Sequence, residues 1–301
     1  AADHPDDLTG RHMSGVLYLL HEGHSGSALD RLQIVQAGCE RVGLSFVGLD
    51  SLEVDYSDLP RLQPGDMLFN AGRGSIRLET LLTRPHVATF RTCGAARFTD
   101  NSDTTAYCAI IEAMGLPQPR TIHRLPRDNA GLSRAVDALG GFPVVIKVVG
   151  GTMGVGVMIV ETMRSLRSIA DYIRTTGDEF ILRQFIPASH VARLVVLGDH
   201  IVASLKYAID EQDFRGLPYR MGGQRMEFGE EVVALAKEAS KAAQYEFTGV
   251  DILIDEQQRP HVLEVNAPSN FVALEHELGL PVGDMIVTHL RTKASLLAGV
   301  A

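Results

Sequence analysis

The sequence predicts an α/β protein of the mixed α+β kind, with a small N-terminal parallel lobe followed by a larger two-part region. Three observations carry this. Up to residue 98, short apolar runs alternate with stretches of helical period. After Gly140-Gly141 the rhythm becomes strand, glycine-rich loop, strand, helix, strand. At 249–266 the segment GVDILIDEQQRPHVLEVN sets two apolar runs around a polar loop at 256–259, the pattern of a β-hairpin.

A chain of 301 residues that is 45% hydrophobic can bury a large core and divide into two or three lobes. The expected divisions are 1–13, a patternless disordered or appended leader; 14–98, the first α/β lobe; 99–186, a central lid; and 187–301, a C-terminal lobe carrying the hairpin. A net charge of −9 with no Lys/Arg-rich run argues against nucleic-acid or acidic-membrane binding, so an anionic ligand would be held by a few placed cations. Cys39, Cys93 and Cys108 show no paired spacing, which fits a reducing, cytoplasmic setting. No apolar run approaches the roughly 18 residues of a membrane span, and the polar start lacks a signal-peptide core.

In order, a strand at 15–20 leads through the loop HEGHSGS into a helix at 27–42, with Leu29, Leu32, Val35, Cys39 and Val42 inward and Gly43 as its stop. His21-Glu22-Gly23-His24 lacks the HExxH spacing that puts two histidines on one helix face, so it is expected to be loop. Strands follow near 45–48, 66–70 and 86–89. A helix at 101–115 turns Ala106, Ile110, Ile111 and Met114 inward, and Pro117 and Pro119 then lead into a strand at Thr121. A helix at 129–139 precedes the strand PVVIKVV. The later elements are strands at 191–197 and 200–207, a helix at 230–244, the hairpin, and a closing helix near 283–298.

The hairpin carries the chemistry. If Asp255 and Pro260 close its turn, the register pairs Asp251 with Glu264 on one face, and strand alternation puts Asn266 on that face too. Carboxylates directly opposite one another have Cβ atoms about 4.5–5.5 Å apart and repel. Two acids and an amide with open positions suit Mg²⁺, a hard cation that keeps waters and takes substrate phosphates. The plainer reading is a solvent-facing hairpin with scattered acids, but both acids interrupt otherwise buried strands.

Cations complete the set. Lys147 sits inside Val144-Val145-Ile146-Lys147-Val148-Val149, where an unpaired ammonium is costly and a phosphate would resolve it. The loop Gly150-Gly151-Thr152-Met153-Gly154-Val155-Gly156 lets backbone N–H groups approach an anion, although it is no Walker A motif and a plain turn competes. In Leu182-Arg183-Gln184-Phe185-Ile186-Pro187, extended backbone and apolar side chains suit an adenine. Arg193 and Lys206 interrupt strands joined by a tight Gly198-Asp199 turn and are expected to face one cleft. Arg215 and Arg220, in DFRGLPYRMGG, are candidates to clamp a carboxylate or phosphate.

In this order and spacing, GLPQPRT, FPVVIKVVGGTMGVGV, RQFI, RLVVLGDHIVA, DFRGLPYRMGGQ, GVDIL and VLEVN resemble the ATP-grasp ligases, in the branch of RimK-type glutamate ligases and LysX-type ligases, over about residues 100–295. The resemblance implies an ATP-grasp fold behind an α/β pre-grasp domain. It implies ATP and Mg²⁺ as cofactors, two ions being expected and Mn²⁺ able to substitute. Lys147 would contact the ATP phosphates under the 150–156 flap, with Gly151, Thr152, Gly154 and Gly156 among the contacts and Lys206 a further cofactor-binding cation. Gln184, Phe185 and Ile186 would border adenine, and Asp251, Glu264 and Asn266 would hold metal. Arg193 and Arg215 would serve catalysis near the γ-phosphate and the acyl phosphate.

The expected reaction joins an amino acid to a glutamate-like carboxylate on a small molecule, peptide or carrier protein through an acyl phosphate, with no nucleophilic Ser or Cys and with a homo-oligomer expected. Arg220, Ser269, Asn270, Phe271 and the 70–75 loop NAGRGS are candidates for substrate choice. Three departures stand out. Thr104 follows Asp103 where the family has Asp-Lys; a ribose-contacting acid is replaced within 189–192; and APSNF follows EVN in place of SSPG or TMEF. Thr104 and the altered 267–271 segment keep open a nucleotide-binding homologue that does not ligate, and the metal pair itself is also compatible with a kinase.

Overall fold

The structure is a computed structural model that describes residues 15–23, 26–71, 75–97, 105–150, 154–209 and 223–299. These fall into two compact units, one of residues 1–98 with 271–301 and the other of residues 99–270. Residues 271–301 therefore group with the first unit.

In the first unit, β1 (Val16–His21), β2 (Ser45–Asp50), β3 (Met67–Asn70) and β4 (Ala88–Thr89) form a parallel sheet in the order β2-β1-β3-β4. Strands buried on both faces read as near-continuous apolar runs, as VLYLLH and MLFN do. On one face Leu20 and Leu68 join Leu62, Leu78, Leu82 and Val87, with α2 (Ile76–Leu82). Leu19 and Phe69 pair on the other face, where Phe90 meets Phe69 edge-on at 4.9 Å.

Helix α1 (Ser27–Arg41) buries Ile34, Val35, Gly38 and Cys39, while Leu29 and Val42 are exposed. The expected stripe was rotated because Gly38 decides the packing. A β-carbon there would lie 2.8 Å from the backbone of Gly283, so α1 lies directly on α8 (Val282–Ala298) through this pair. A short α7 (Val272–His276) precedes α8.

The second unit holds two sheets. β5 (Thr121–Ile122), β6 (Val144–Val148), β7 (Val157–Val160) and β8 (Phe180–Gln184) are ordered β5-β8-β6-β7. One face packs Val144, Ile146, Val160 and Leu182 against Leu132, Val136 and Leu139 of α4 (Asn129–Leu139) and Leu166, Ala170 and Ile173 of α5 (Met163–Thr176). Caps fix both helix starts: Asp128 accepts from the Gly131 N–H, and Thr162 from that of Ser165. Helix α3 (Ala106–Ala113) buries Tyr107, Cys108 and Ile111, whereas Ala106, Ile110 and Met114, expected inside, are exposed.

The second sheet comprises β9 (Ala188–Leu197), β10 (His200–Ala208), β11 (Gln224–Arg225), β12 (Phe247–Asp255) and β13 (Pro260–Asn266), ordered β11-β10-β9-β12-β13. Helix α6 (Glu230–Lys241) packs on β9, β12 and β13. Two registers depart from simple pairing. Ile252 pairs with Val262 but Asp251 with Glu264, so Leu263 is a bulge with no opposite residue. Between β9 and β10 the register shifts at Val202, leaving Lys206 opposite Ala192 and Leu205 opposite Arg193.

Candidate functional site

Asp251 and Glu264 lie side by side on antiparallel strands, and Arg193 on β9 pairs with Asp251 from the other side. Pairing places all three on one sheet face, with Asn266 opposite Gly249 on that same face. The turn nevertheless closes one residue away from expectation. Ile254, not Asp255, faces Pro260, and the Leu263 bulge restores the Asp251–Glu264 pair.

Each acid has a side-chain cation. Arg193 Nη1 donates to Asp251 Oδ2 at 2.7 Å, and Lys147 Nζ donates to Glu264 Oε2 at 3.0 Å. Asp251, Lys147 and Arg193 are largely desolvated, at 8%, 9% and 5% exposed, while the Glu264 side chain stays 28% exposed. Gly249 makes the first pair possible: a β-carbon there would collide with the Arg193 guanidinium, which lies flat over the strand. The Asn266 amide satisfies its neighbours with nitrogen toward Glu264 Oε1 at 3.2 Å and oxygen toward Arg193 Nη1 at 3.1 Å. Burial pushes the Asp251 carboxyl above its ordinary pKa; Arg193 and Lys147 oppose that push, and the Glu264 charge adds to it.

Asp251 Oδ1 is the atom that decides what the site can hold. It is buried and has no hydrogen-bond partner, a costly state for a carboxylate oxygen. With Glu264 beside it and a second lone pair on the Asn266 oxygen, the donor set is two carboxylates and an amide, all hard oxygens, and fits Mg²⁺. Among the described residues there is no cluster of three or more His, Cys, Asp or Glu side chains for a metal, so these three oxygens would be completed by water or phosphate.

Lys147 lies on the face of its sheet opposite the α4–α5 core, as the alternation of VVIKV requires. Further along the chain, Gly154 and Gly156 adopt φ 74° and 84°. Phe185 and Ile186 are half-buried in the link from β8 to β9. The Gln184 side chain is already engaged, its Oε1 accepting from Arg120 Nε at 3.2 Å. Ser269 is buried just past β13, donating its N–H to Phe247 O, and its hydroxyl has no partner. Asn270 follows it, half-buried.

Lys206 is a correction. The shift at Val202 moves every later β10 side chain to the opposite face, so Lys206 lies on the face of Ala192, away from Arg193 and Asp251. There burial and the Lys206 charge together lower the basicity of His190, whose ring stacks on Phe228. Arg215, Arg220, Gly151, Thr152, Thr104 and residues 72–74 lie outside the described residues. Sequence reasoning gave no role to Arg183 or Gly249. Arg183 showed the same signal as Lys147, a charge inside the apolar run FILRQ. Asn70 and Glu79 of the first unit join Arg91 in a buried network, Arg91 gripping Glu79 through two 2.8 Å bonds.

Comparison with known proteins identifies the family. A family model described as the RimK-like ATP-grasp domain matches residues 104–290. A ribosomal protein bS6–L-glutamate ligase of Escherichia fergusonii is 29% identical over 190 residues, 62% of either chain, and its counterpart from Escherichia coli O81 (strain ED1a) is 28% identical over the same span. The chain thus spans 62% of the length of these curated relatives.

Among solved structures, the ATP-grasp ligase PsnB, complexed with a phosphomimetic variant of its minimal precursor, Mg and ADP, superposes with a TM-score of 0.68 at 16% identity, covering 93% of this chain and 99% of that one. D-alanine–D-alanine ligase from Bacillus anthracis complexed with ATP gives 0.68 at 14% identity, with 96% and 99% covered. These likenesses establish an ATP-grasp fold. With the family model matching well over half of its residues, the chain belongs to the RimK-like ATP-grasp family.

Proposed function

We propose that this protein is an ATP-dependent carboxylate–amine ligase. The observation that carries the reading is the site on the β9–β12–β13 face. There a buried carboxylate with one unpartnered oxygen, a second carboxylate and an amide meet two cations drawn from two different sheets. Lys147 and Arg193 balance the two acids, and a nucleotide's terminal phosphates brought to those acids would meet the same two cations.

Asp251, Glu264 and Asn266 would hold Mg²⁺, which when bound supplies charge neutralisation for the phosphates. Lys147 would exchange Glu264 for phosphate oxygens, and Arg193, anchored on Asp251, would keep a fixed positive charge beside the transferring group. The γ-phosphate passes from ATP to a substrate carboxylate, giving an acyl phosphate and ADP. An amine then attacks the acyl carbon and expels phosphate, leaving an amide. Neither step needs a protein nucleophile. What the chain supplies is positioning and preorganised charge.

The relatives named for a glutamate ligase acting on a ribosomal protein, and PsnB with its precursor, support an amino acid as amine and a glutamate-like carboxylate on a peptide or protein as acceptor. Ser269 and Asn270, immediately beyond the metal-bearing strand, are placed to contribute to that choice. The test is ADP release from Mg-ATP with pooled amino acids and glutamyl peptides, comparing the wild type with Asp251→Asn and Glu264→Gln. The expected result is amino-acid-dependent ADP in the wild type and a loss on the order of 100-fold or more in either variant. Nucleotide binding without ADP release under any pool would instead identify a non-ligating homologue.

A further inference from the structure

Arg183 is a buried guanidinium with no carboxylate partner among the described residues. It is 5% exposed, and its partners are neutral oxygens: Leu263 O at 2.9 Å from Nη1, Thr121 Oγ1 at 3.2 Å from Nε, and Gln118 Oε1 at 3.4 Å from Nη2. Among the described residues it forms no ion pair. Desolvating a guanidinium against neutral acceptors alone is expensive, so the position calls for a reason.

The identity of its shortest partner supplies one. Leu263 is the bulge residue, the one position of β13 with no opposite number on β12. Beyond the turn the pairs run Ile254–Pro260, Leu253–His261 and Ile252–Val262. Continued without a bulge, they would become Asp251–Leu263 and Val250–Glu264. Glu264 would then share a face with Val250, which is fully buried, and leave Asp251 alone on the site face. The inserted residue is what turns Glu264 toward Asp251.

A bulge leaves a backbone group outside the ladder, and here Arg183 takes up the Leu263 carbonyl; on the outer edge of the same strand, the paired Val262 donates its N–H to Pro117 O. Arg183 also shares a face of its sheet with Lys147, because β8 and β6 pair Arg183 with Val145, two residues before Lys147. Two cations on one face therefore grip consecutive residues of β13. Lys147 takes the side chain of Glu264, and Arg183 takes the backbone of Leu263 just before it.

We propose that Arg183 is a positioning residue that pins the Leu263 bulge and thereby sets Glu264 on the metal-binding face. The inference rests on the metal site proposed above and deepens it by naming what holds the second carboxylate in place.

The test uses the full chain with ADP as probe. Thermal unfolding is followed across a Mg²⁺ titration at fixed ADP for wild type, Arg183→Met, Arg183→Lys and Asp251→Asn. Both Arg183 variants are expected to keep the wild-type response to ADP without metal while needing about tenfold more Mg²⁺ for the half-maximal ADP-dependent rise in Tm. Lysine is included because it keeps the charge and reaches fewer acceptors. It stays informative if the methionine variant does not fold, and it too should show the raised requirement.

An unchanged Mg²⁺ requirement in a folded Arg183 variant overturns the proposal and leaves the metal site standing. Equal loss of the metal-free ADP response also overturns it, by making Arg183 a nucleotide contact or a general support. A wild type whose ADP response ignores Mg²⁺, like Asp251→Asn, overturns the metal site itself and the proposal with it.

Discussion

Arg193 reaches Asp251 only because the neighbouring position on β12 has no side chain. Gly249→Ala places a β-carbon inside the volume of that guanidinium, so the arginine must leave its carboxylate or the strands must part. The expected cost is about 1–3 kcal/mol, accompanied by a weakened Mg²⁺-dependent ADP response. Thermal unfolding with and without Mg-ADP checks both, and a wild-type Tm with a wild-type metal response would show that the guanidinium has room to move. At this scale the sequence was informative where a charge broke an apolar strand, as at Lys147, Arg193 and Asp251. It was silent about Gly249, because the demand for a missing side chain comes from a residue more than fifty positions away.

The hairpin turn shows how an element is held at its own end. Asp255 accepts from the backbone N–H groups of Gln257 and Arg259 at 2.9 and 2.8 Å, from Arg259 Nε at 2.8 Å and from His261 Nε2 at 3.1 Å. Burial alone would raise its pKa, but these donors and the Arg259 charge outweigh it and hold the carboxyl well below the ordinary range. A depressed folded pKa gives stability that is present above the unfolded value of 3.8 and lost as pH falls below it toward the folded value. Asp255→Asn should therefore be less stable than wild type at neutral pH, with the gap narrowing progressively below pH 3.8. Denaturant unfolding across that range tests it, and a pH-independent gap would mean that the turn does not depend on the charge.

Bulges mark the limit of what patterning reveals about elements. Strand alternation led to the Asp251–Glu264 pair through a turn placed one residue off, and the Leu263 bulge made up the difference. The same reasoning failed for Lys206, because the shift at Val202 has nothing to compensate it. Neither bulge carries a glycine or proline to announce it. At Leu263 a neighbouring segment takes up the freed carbonyl through the Arg183–Leu263 bond. The helix faces of α1 and α3 were misjudged for a related reason: the Gly38–Gly283 contact rotates α1, and a stripe of apolar letters does not say which neighbour will arrive.

For the molecule as a whole, the motif order identified the ATP-grasp fold because its landmarks are spread over nearly two hundred residues, too many to coincide by composition. Where the chain would divide was less legible. Residues 271–301 return to the first unit, a long-range association that no local signal encodes. No helix among the described residues is long and apolar enough to cross a membrane. The site itself is built from both sheets of the second unit, Lys147 from one and Arg193, Asp251, Glu264 and Asn266 from the other, so its electrostatics depend on that unit folding as one body.

In the proposed reaction these groups activate a carboxylate as its acyl phosphate. Hydroxylamine trapping measures this directly: the protein is incubated with Mg-ATP, glutamyl peptides and hydroxylamine in place of the amine, and ADP and hydroxamate are quantified together. Equal amounts of the two are expected, dependent on the peptide carboxylate and abolished in Asp251→Asn. Carboxylate-dependent ADP without hydroxamate, or a stable phosphoester as product, would contradict it.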